Sequence, residues 1–225
     1  MVRFSHSTNN LDLFVLKIER MKFMNEIAIT MPESLENFKL PSPELLDYYN
    51  RLEKRVIVIN DAIDDYLIDY GMKIIEWNKE DKDKTGRVPI RIFINSDGGS
   101  LAAVMNLINI IQLSKTPVYI IGMSRCYSSG GLLLMSGHKR FIFEDTTYLV
   151  HDGYSGAGGS VGKMMDNLKF TEAMEERVKR YILKNSTISE NLYDKNYRKD
   201  WFMFSDEMLN YHIADTIITD LDEIL

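Results

Sequence analysis

The chain has 225 residues, 45% of them hydrophobic and 27% charged, with a formal charge of −6. These are the proportions of a globular protein long enough to bury a real core, and they leave no electrostatic footprint for nucleic acid. The single cysteine, Cys126, excludes an intrachain disulfide and a cysteine-based zinc site, and it fits a reducing compartment.

Residues 1–43 read as an N-terminal arm. The first 40 lack a sustained period, carry a polar start, and run into Leu40-Pro41-Ser42-Pro43, a boundary signal because proline biases its predecessor away from helix. Their longest apolar run, residues 13–16, is flanked by Asp12, Lys17 and Glu19. It is far too short for a signal or membrane-spanning segment, so a cytoplasmic location with no membrane partner is expected.

Residues 44–54 predict a short helix, and 55–59 (RVIVI) a buried strand. Next, Ile63, Tyr66, Leu67, Tyr70, Ile74 and Trp77 fall on one helical face, with Asp64, Asp65, Asp69, Lys73 and Glu76 mostly off it. The charged stretch 79–86 is a solvated loop, and 89–94 (PIRIFI) is a second strand, which makes residues 55–94 a βαβ unit with parallel pairing.

Asn95-Ser96-Asp97-Gly98-Gly99-Ser100 ends that strand and opens a helix whose face is Leu101, Val104, Met105, Ile108 and Ile111. Two glycines thus lie at a strand's carboxyl end, where α/β sheets bind ligands; a plain turn accounts for them equally well. A third strand, 116–123, feeds residues 124–131, SRCYSSGG, which read as a tight small-residue turn and a helix start.

Strands are expected at 139–143 and 148–150, the second delivering His151 at its end. Residues 152–160 are glycine-rich, and 161–183 form a long helix with Met164, Met165, Leu168, Met174, Val178, Tyr181 and Ile182 as a broad apolar stripe. That helix is longer than a compact domain needs and should pack on something, such as another subunit. Asp200 precedes a strand at 201–204, Ser205 is the expected N-cap of a short helix from Asp206, and 215–219 lead to the end.

Residues 156–163 (GAGGSVGK) follow a strand and open a helix, yet they fail as a phosphate loop. Gly162 lies six residues after Gly156 where five are needed, and Met164 stands where a magnesium-binding hydroxyl belongs. A dinucleotide fingerprint fails too, since Val161 takes the last glycine position. The segment reads as a hinge, and no cofactor is expected. What remains is a set of hydroxyl or thiol groups at Ser124, Cys126, Ser128 and Ser129, backbone donors at Gly98-Gly99, a strand-end histidine and several carboxylates. Acyl transfer needs an attacking hydroxyl, a base, a carboxylate to hold the base and donors for the oxyanion. Local sequence does not choose among the four nucleophile candidates.

Taken in order, RLEKRVIVI, INSDGG with its following helix, the strand with SRCYSSGG, KRFIFEDTTYLVH, the long helix and KDWFMFSDEMLNYHIAD resemble the proteolytic subunit of Clp protease. The resemblance covers residues 44–225, about four fifths of the chain; INSDGG alone would suit other members of the crotonase-like superfamily. It implies an α/β spiral of ββα units with a protruding long-helix handle at about residues 152–185. It puts the nucleophile at Ser128, the general base at His151, the orienting carboxylate at Asp200 and the oxyanion donors at the N–H groups of Gly99 and Ser129. Cys126 is left as a packing residue.

The same resemblance implies a polypeptide substrate, a homo-oligomer of two stacked heptameric rings, and an AAA+ unfoldase docking on the ring faces. Departures from the family pattern are Asp97 in place of a proline, Arg125, Cys126 and Tyr127 in place of smaller or neutral residues, Asp152-Gly153 in place of Gln-Pro, and Arg91 in place of an aromatic. A carboxylate at Asp97 would oppose oxyanion formation unless it points away. Four readings stay open: an active peptidase core, a catalytically silent ring subunit, a processing peptidase working without an unfoldase, and an acyl-CoA enzyme of crotonase type.

Overall fold

The computed structural model describes residues 2–5, 13–18, 27–30, 41–153, 156 and 158–224, the first three segments as backbone only. The chain divides into two compact units, residues 1–49 and 50–225. In the first, strands β1 (Val2–Ser5), β2 (Leu13–Ile18) and β3 (Ile27–Thr30) form an antiparallel sheet in the order β1-β2-β3. Val2 is paired with Ile18, and Leu13 with Thr30. The expectation of residues 1–40 without elements missed this sheet, because strands of four to six residues are too short to establish a period and β2 begins as a continuous apolar run. Helix α1 (Pro43–Glu53) follows, close to its expected place.

The second unit is built on a seven-stranded sheet. Strands β4 (Val56–Ile59), β5 (Ile90–Ser96), β6 (Val118–Tyr127), β7 (Lys139–Ile142) and β10 (Thr216–Ile217) run parallel in the order β10-β7-β6-β5-β4. Helices α2 (Leu67–Glu80) and α3 (Leu101–Leu113) make the crossovers between β4, β5 and β6, as parallel neighbours require. Alternate β5 residues Ile90, Ile92 and Ile94 are fully buried against Leu107, Ile108 and Ile111 of α3 and Leu67 and Ile74 of α2 in one core. Each such side chain contributes about 2 kcal/mol on leaving water.

Strand β6 has 10 residues and two sets of partners. Residues 119–122 pair with β7, and residues 125–127 pair with β8 (Thr147–Val150), which itself pairs antiparallel with β9 (Trp201–Met203). The expected turn at residues 124–127 is therefore strand. Gly122 lies where the strand changes partners, and a Cβ there would fall 2.9 Å from Cys126 Sγ. Cys126 is buried, with its thiol pushed up to about 12 by desolvation, the behaviour of a packing residue.

Helix α4 (Ser129–Leu134) follows β6, and α5 (Val161–Asn185) runs for 25 residues. Tyr181 and Ile182 anchor the end of α5 in the core, whereas Val161, Met165, Leu168 and Phe170 are exposed. Helix α6 (Glu190–Asn196), which the sequence reading left out, is capped by Ser189 Oγ accepting the Leu192 N–H. At α7 (Ser205–Asn210) the N-cap is Phe204 rather than Ser205, and Glu207 returns a carboxylate oxygen to the Phe204 N–H. Among the described residues no helix is long and apolar enough to cross a membrane, and no group of histidine, cysteine and carboxylate side chains could hold a metal.

The stretch 79–86 is not wholly the solvated loop expected, since Lys79 and Glu80 end α2 and Asp81 is buried in an ion pair that holds the start of β4. Arg55 grips Asp81 with two guanidinium nitrogens, one at 2.8 Å, while Thr116 Oγ1 and Lys84 Nζ also donate to that carboxylate, each at 3.0 Å. The Arg55 hydrogen bonds, ahead of those from Lys84 and Thr116, hold the Asp81 carboxyl well below the usual carboxylate range despite burial. A depressed pKa gives stability that is complete above the unfolded value near pH 4 and is lost as the pH falls toward the folded value. Asp81→Asn is expected to cost about 3 to 5 kcal/mol at pH 7 and to flatten the acid limb of stability below about pH 4, read by chemical denaturation across pH.

Candidate active site

At the end of β6 the chain reverses through one residue. Ser128 has φ 52 and ψ −122, a region that suits glycine and strains a residue with a Cβ. It is held there from both sides. Its N–H donates to the Leu149 carbonyl of β8 at 2.9 Å, and its own carbonyl accepts from Gly131 and Leu132 of α4 at 3.0 and 3.2 Å. The two glycines that follow are spacing requirements: a Cβ on Gly130 would lie 3.2 Å from the Ser96 carbonyl oxygen, and one on Gly131 2.5 Å from the Tyr148 ring. SSGG is thus a strained strand-to-helix elbow clamped between β5 and β8, of the kind that lifts a nucleophile clear of a sheet.

Gly98 and Gly99 face this elbow. A Cβ on Gly98 would stand 2.8 Å from Ser128 Cβ and 3.2 Å from the Ser129 nitrogen, and one on Gly99 would collide with the Ile63 carbonyl oxygen at 2.2 Å. Both have positive φ, 99 and 148, so only glycine fits. Ile63 engages the neighbouring groups, donating to the Gly98 carbonyl at 2.8 Å and accepting from Ser100 N–H at 2.7 Å. No acceptor among the described residues takes the N–H groups of Gly99 and Ser129. Two unengaged donors beside one strained hydroxyl are the arrangement that stabilises a tetrahedral oxyanion.

Ser128, Ser129, Gly99 and His151 line one cleft of about 920 Å3. Asp200 is exposed and is not part of that lining. In the β8–β9 ladder Tyr148 pairs with Met203, Leu149 with Phe202 and Val150 with Trp201. One step further in the same antiparallel register sets His151 across from Asp200. No hydrogen bond joins Ser128, His151 and Asp200 among the described residues; such bonds commonly tighten only around an occupant. Asp97, the unexpected carboxylate, accepts from Arg125 Nη1 at 2.9 Å, so a cation neutralises it beside the donors. The cleft also takes Tyr193, Asp194, Tyr197 and Arg198 from α6 and the residues after it. The sequence reading missed these; the signal that could have found them was the Ser189 cap opening a helix after α5.

The Clp protease family model matches residues 42–220. The chain belongs to the Clp protease family. It is similar to the ATP-dependent Clp protease proteolytic subunit 2 of Tropheryma whipplei (strain Twist), 28% identical over 173 residues, which cover 75% of this chain and 93% of that relative. Family membership makes this Clp protease a serine endopeptidase by class and accounts for the central sheet flanked by helices. Residues 1–41, with their antiparallel sheet, lie outside the family match.

Two measurements probe this geometry. Ser128→Gly is expected to be more stable than Ser128→Ala by about 1 kcal/mol, since the positive φ strains alanine and not glycine; differential scanning calorimetry of the two variants reads it. Arg125→Ala, which leaves the Asp97 charge uncompensated beside the two donors, should lower kcat by roughly threefold to tenfold, with Asp97→Asn restoring it in the double variant.

Proposed function

We propose that this Clp protease is a catalytically active endopeptidase whose nucleophile is Ser128. The observation that carries the reading is the pair of unengaged N–H groups, Gly99 and Ser129, set against the strained elbow that carries the hydroxyl. Strain and idle donors at one spot cost stability and are accounted for by chemistry there.

In the proposed cycle Ser128 Oγ attacks the scissile carbonyl carbon while His151 accepts its proton. The carbonyl electron pair moves onto oxygen, where the two N–H groups stabilise it, and Asp200 fixes the imidazole tautomer and balances the imidazolium. The intermediate collapses to an acyl-enzyme as His151 gives the proton to the leaving amine. Water, deprotonated by the same histidine, then attacks the ester and releases Ser128.

The active species is proposed to be a homo-oligomer of two stacked seven-membered rings enclosing the sites, with the exposed Val161, Met165, Leu168 and Phe170 of α5 packing between rings. Polypeptide would reach the chamber from an AAA+ unfoldase, in keeping with the ATP dependence in the name of the relative. The silent-subunit reading draws on the missing hydrogen bonds among Ser128, His151 and Asp200, and one experiment separates the two. A fluorophosphonate probe should label wild type and not Ser128→Ala, with peptidase activity falling by roughly four to six decades in that variant and by about three to four decades in Asp200→Asn. Equal labelling of wild type and Ser128→Ala would sink the assignment.

A further inference from the structure

The walls of the cleft carry a charge that the proposed cycle does not use. Its lining holds the carboxylates of Asp97, Asp152, Glu172, Glu175, Glu176 and Asp194 against two formal cations, Lys179 and Arg198. Lys179 is already spent: its Nζ lies 2.8 Å from Glu190 Oε1 and 2.8 Å from Asp194 Oδ1. Asp97 is held by Arg125. Arg198 stacks over the Tyr197 ring at 5.4 Å and donates to its hydroxyl at 2.8 Å. That leaves Asp152, Glu172, Glu175 and Glu176 in no close ion pair among the described residues, with Arg198 facing Asp152 and Glu175 at longer range and Glu172 and Glu176 without a cation partner there.

The three glutamates follow from helix geometry. Glu172 and Glu176 are four residues apart and Glu175 three from the first, so they form one acidic stripe on α5. A second observation points to an occupant. Ser129 borders the same cleft, is 3% exposed, and its buried Oγ has no hydrogen-bond partner among the described residues, so a polar group brought by a ligand would satisfy it. A concave wall of one sign concentrates ligands of the other and repels like charge.

We propose that this cleft selects polypeptide segments carrying lysine or arginine within the few residues around the scissile bond, through the carboxylates of Asp152, Glu172, Glu175 and Glu176. The proposal rests on the cleft being the peptide-binding site of the reading above. The test uses the full chain and three fluorogenic peptides that differ only in two flanking positions, Lys, Ala or Glu.

At about 20 mM salt kcat/KM should fall in the order Lys, Ala, Glu, by roughly tenfold from first to last, and the values should converge near 0.5 M salt as screening sets in. The Glu172→Gln/Glu175→Gln/Glu176→Gln variant, checked for folding by its circular dichroism melt, should shrink the spread to about twofold, and the corresponding aspartate variant should keep most of it. Equal rates for the three peptides at low salt, or a preference that neither salt nor the glutamine variant alters, would overturn the proposal. Anisotropy with the same labelled peptides on Ser128→Ala separates the two levels. Binding in the order Lys, Ala, Glu supports charge selection even where fluorophosphonate labelling fails and the catalytic assignment falls, and binding without that order overturns it.

Discussion

The clamp on the Ser128 backbone is the constraint on which the rest of the site depends. One residue with φ 52 joins a ten-residue strand to a six-residue helix, and three hydrogen bonds to β8 and α4 hold it. A strained conformation of this kind costs about 1 to 3 kcal/mol and persists only where its surroundings over-determine it. Here they do. The partner change of β6 at Gly122 brings β8 alongside the end of the strand, and the contacts of Gly130 and Gly131 with Ser96 and Tyr148 leave the helix no other place to start.

The same clamp decides the electrostatics around it. Because β5 ends where β6 turns, the Gly98-Gly99 loop is pressed against Ser128, and Ile63 engages the polar groups on either side of Gly99 while leaving its N–H idle. Asp97 would bring a negative charge to that spot, and Arg125 on the adjoining strand offsets it. Further out, α5 and α6 close the cleft with a surplus of carboxylates. The cleft is thus cation-neutralised near the two idle N–H groups and acidic along its outer wall.

Much of this was legible in the chain, and the departures have definite physical origins. Short β-branched runs and a clear helical face placed β4, α2, β5 and α3 close to where they stand, since burial on both faces of a parallel sheet enforces those patterns. The antiparallel strands within residues 2–30 were missed because their periods are too brief, and α6 because its seven residues carry little amphipathic signal. Residues 124–127 read as a turn from their small and polar composition, yet pairing with β8 extends them as strand. That pairing is a long-range contact which no local window contains.

By itself the sequence determined the α/β class and excluded an intrachain disulfide, marked a serine and glycine turn opening a helix after the third strand, and through its resemblance pointed to Ser128, His151, Asp200, Gly99 and Ser129 as Clp-type residues. Only the tertiary structure decided which of these meet. Ser128, His151 and the two idle donors share one cleft because parallel strands end together at one edge of the sheet, while Asp200 lies outside that lining, one step beyond the last β8–β9 pair, Val150 with Trp201. The neutralisation of Asp97 and the acidic wall are tertiary facts as well. They depend on charges separated by tens of residues in the chain, and distance in space, not in sequence, sets the Coulomb energy.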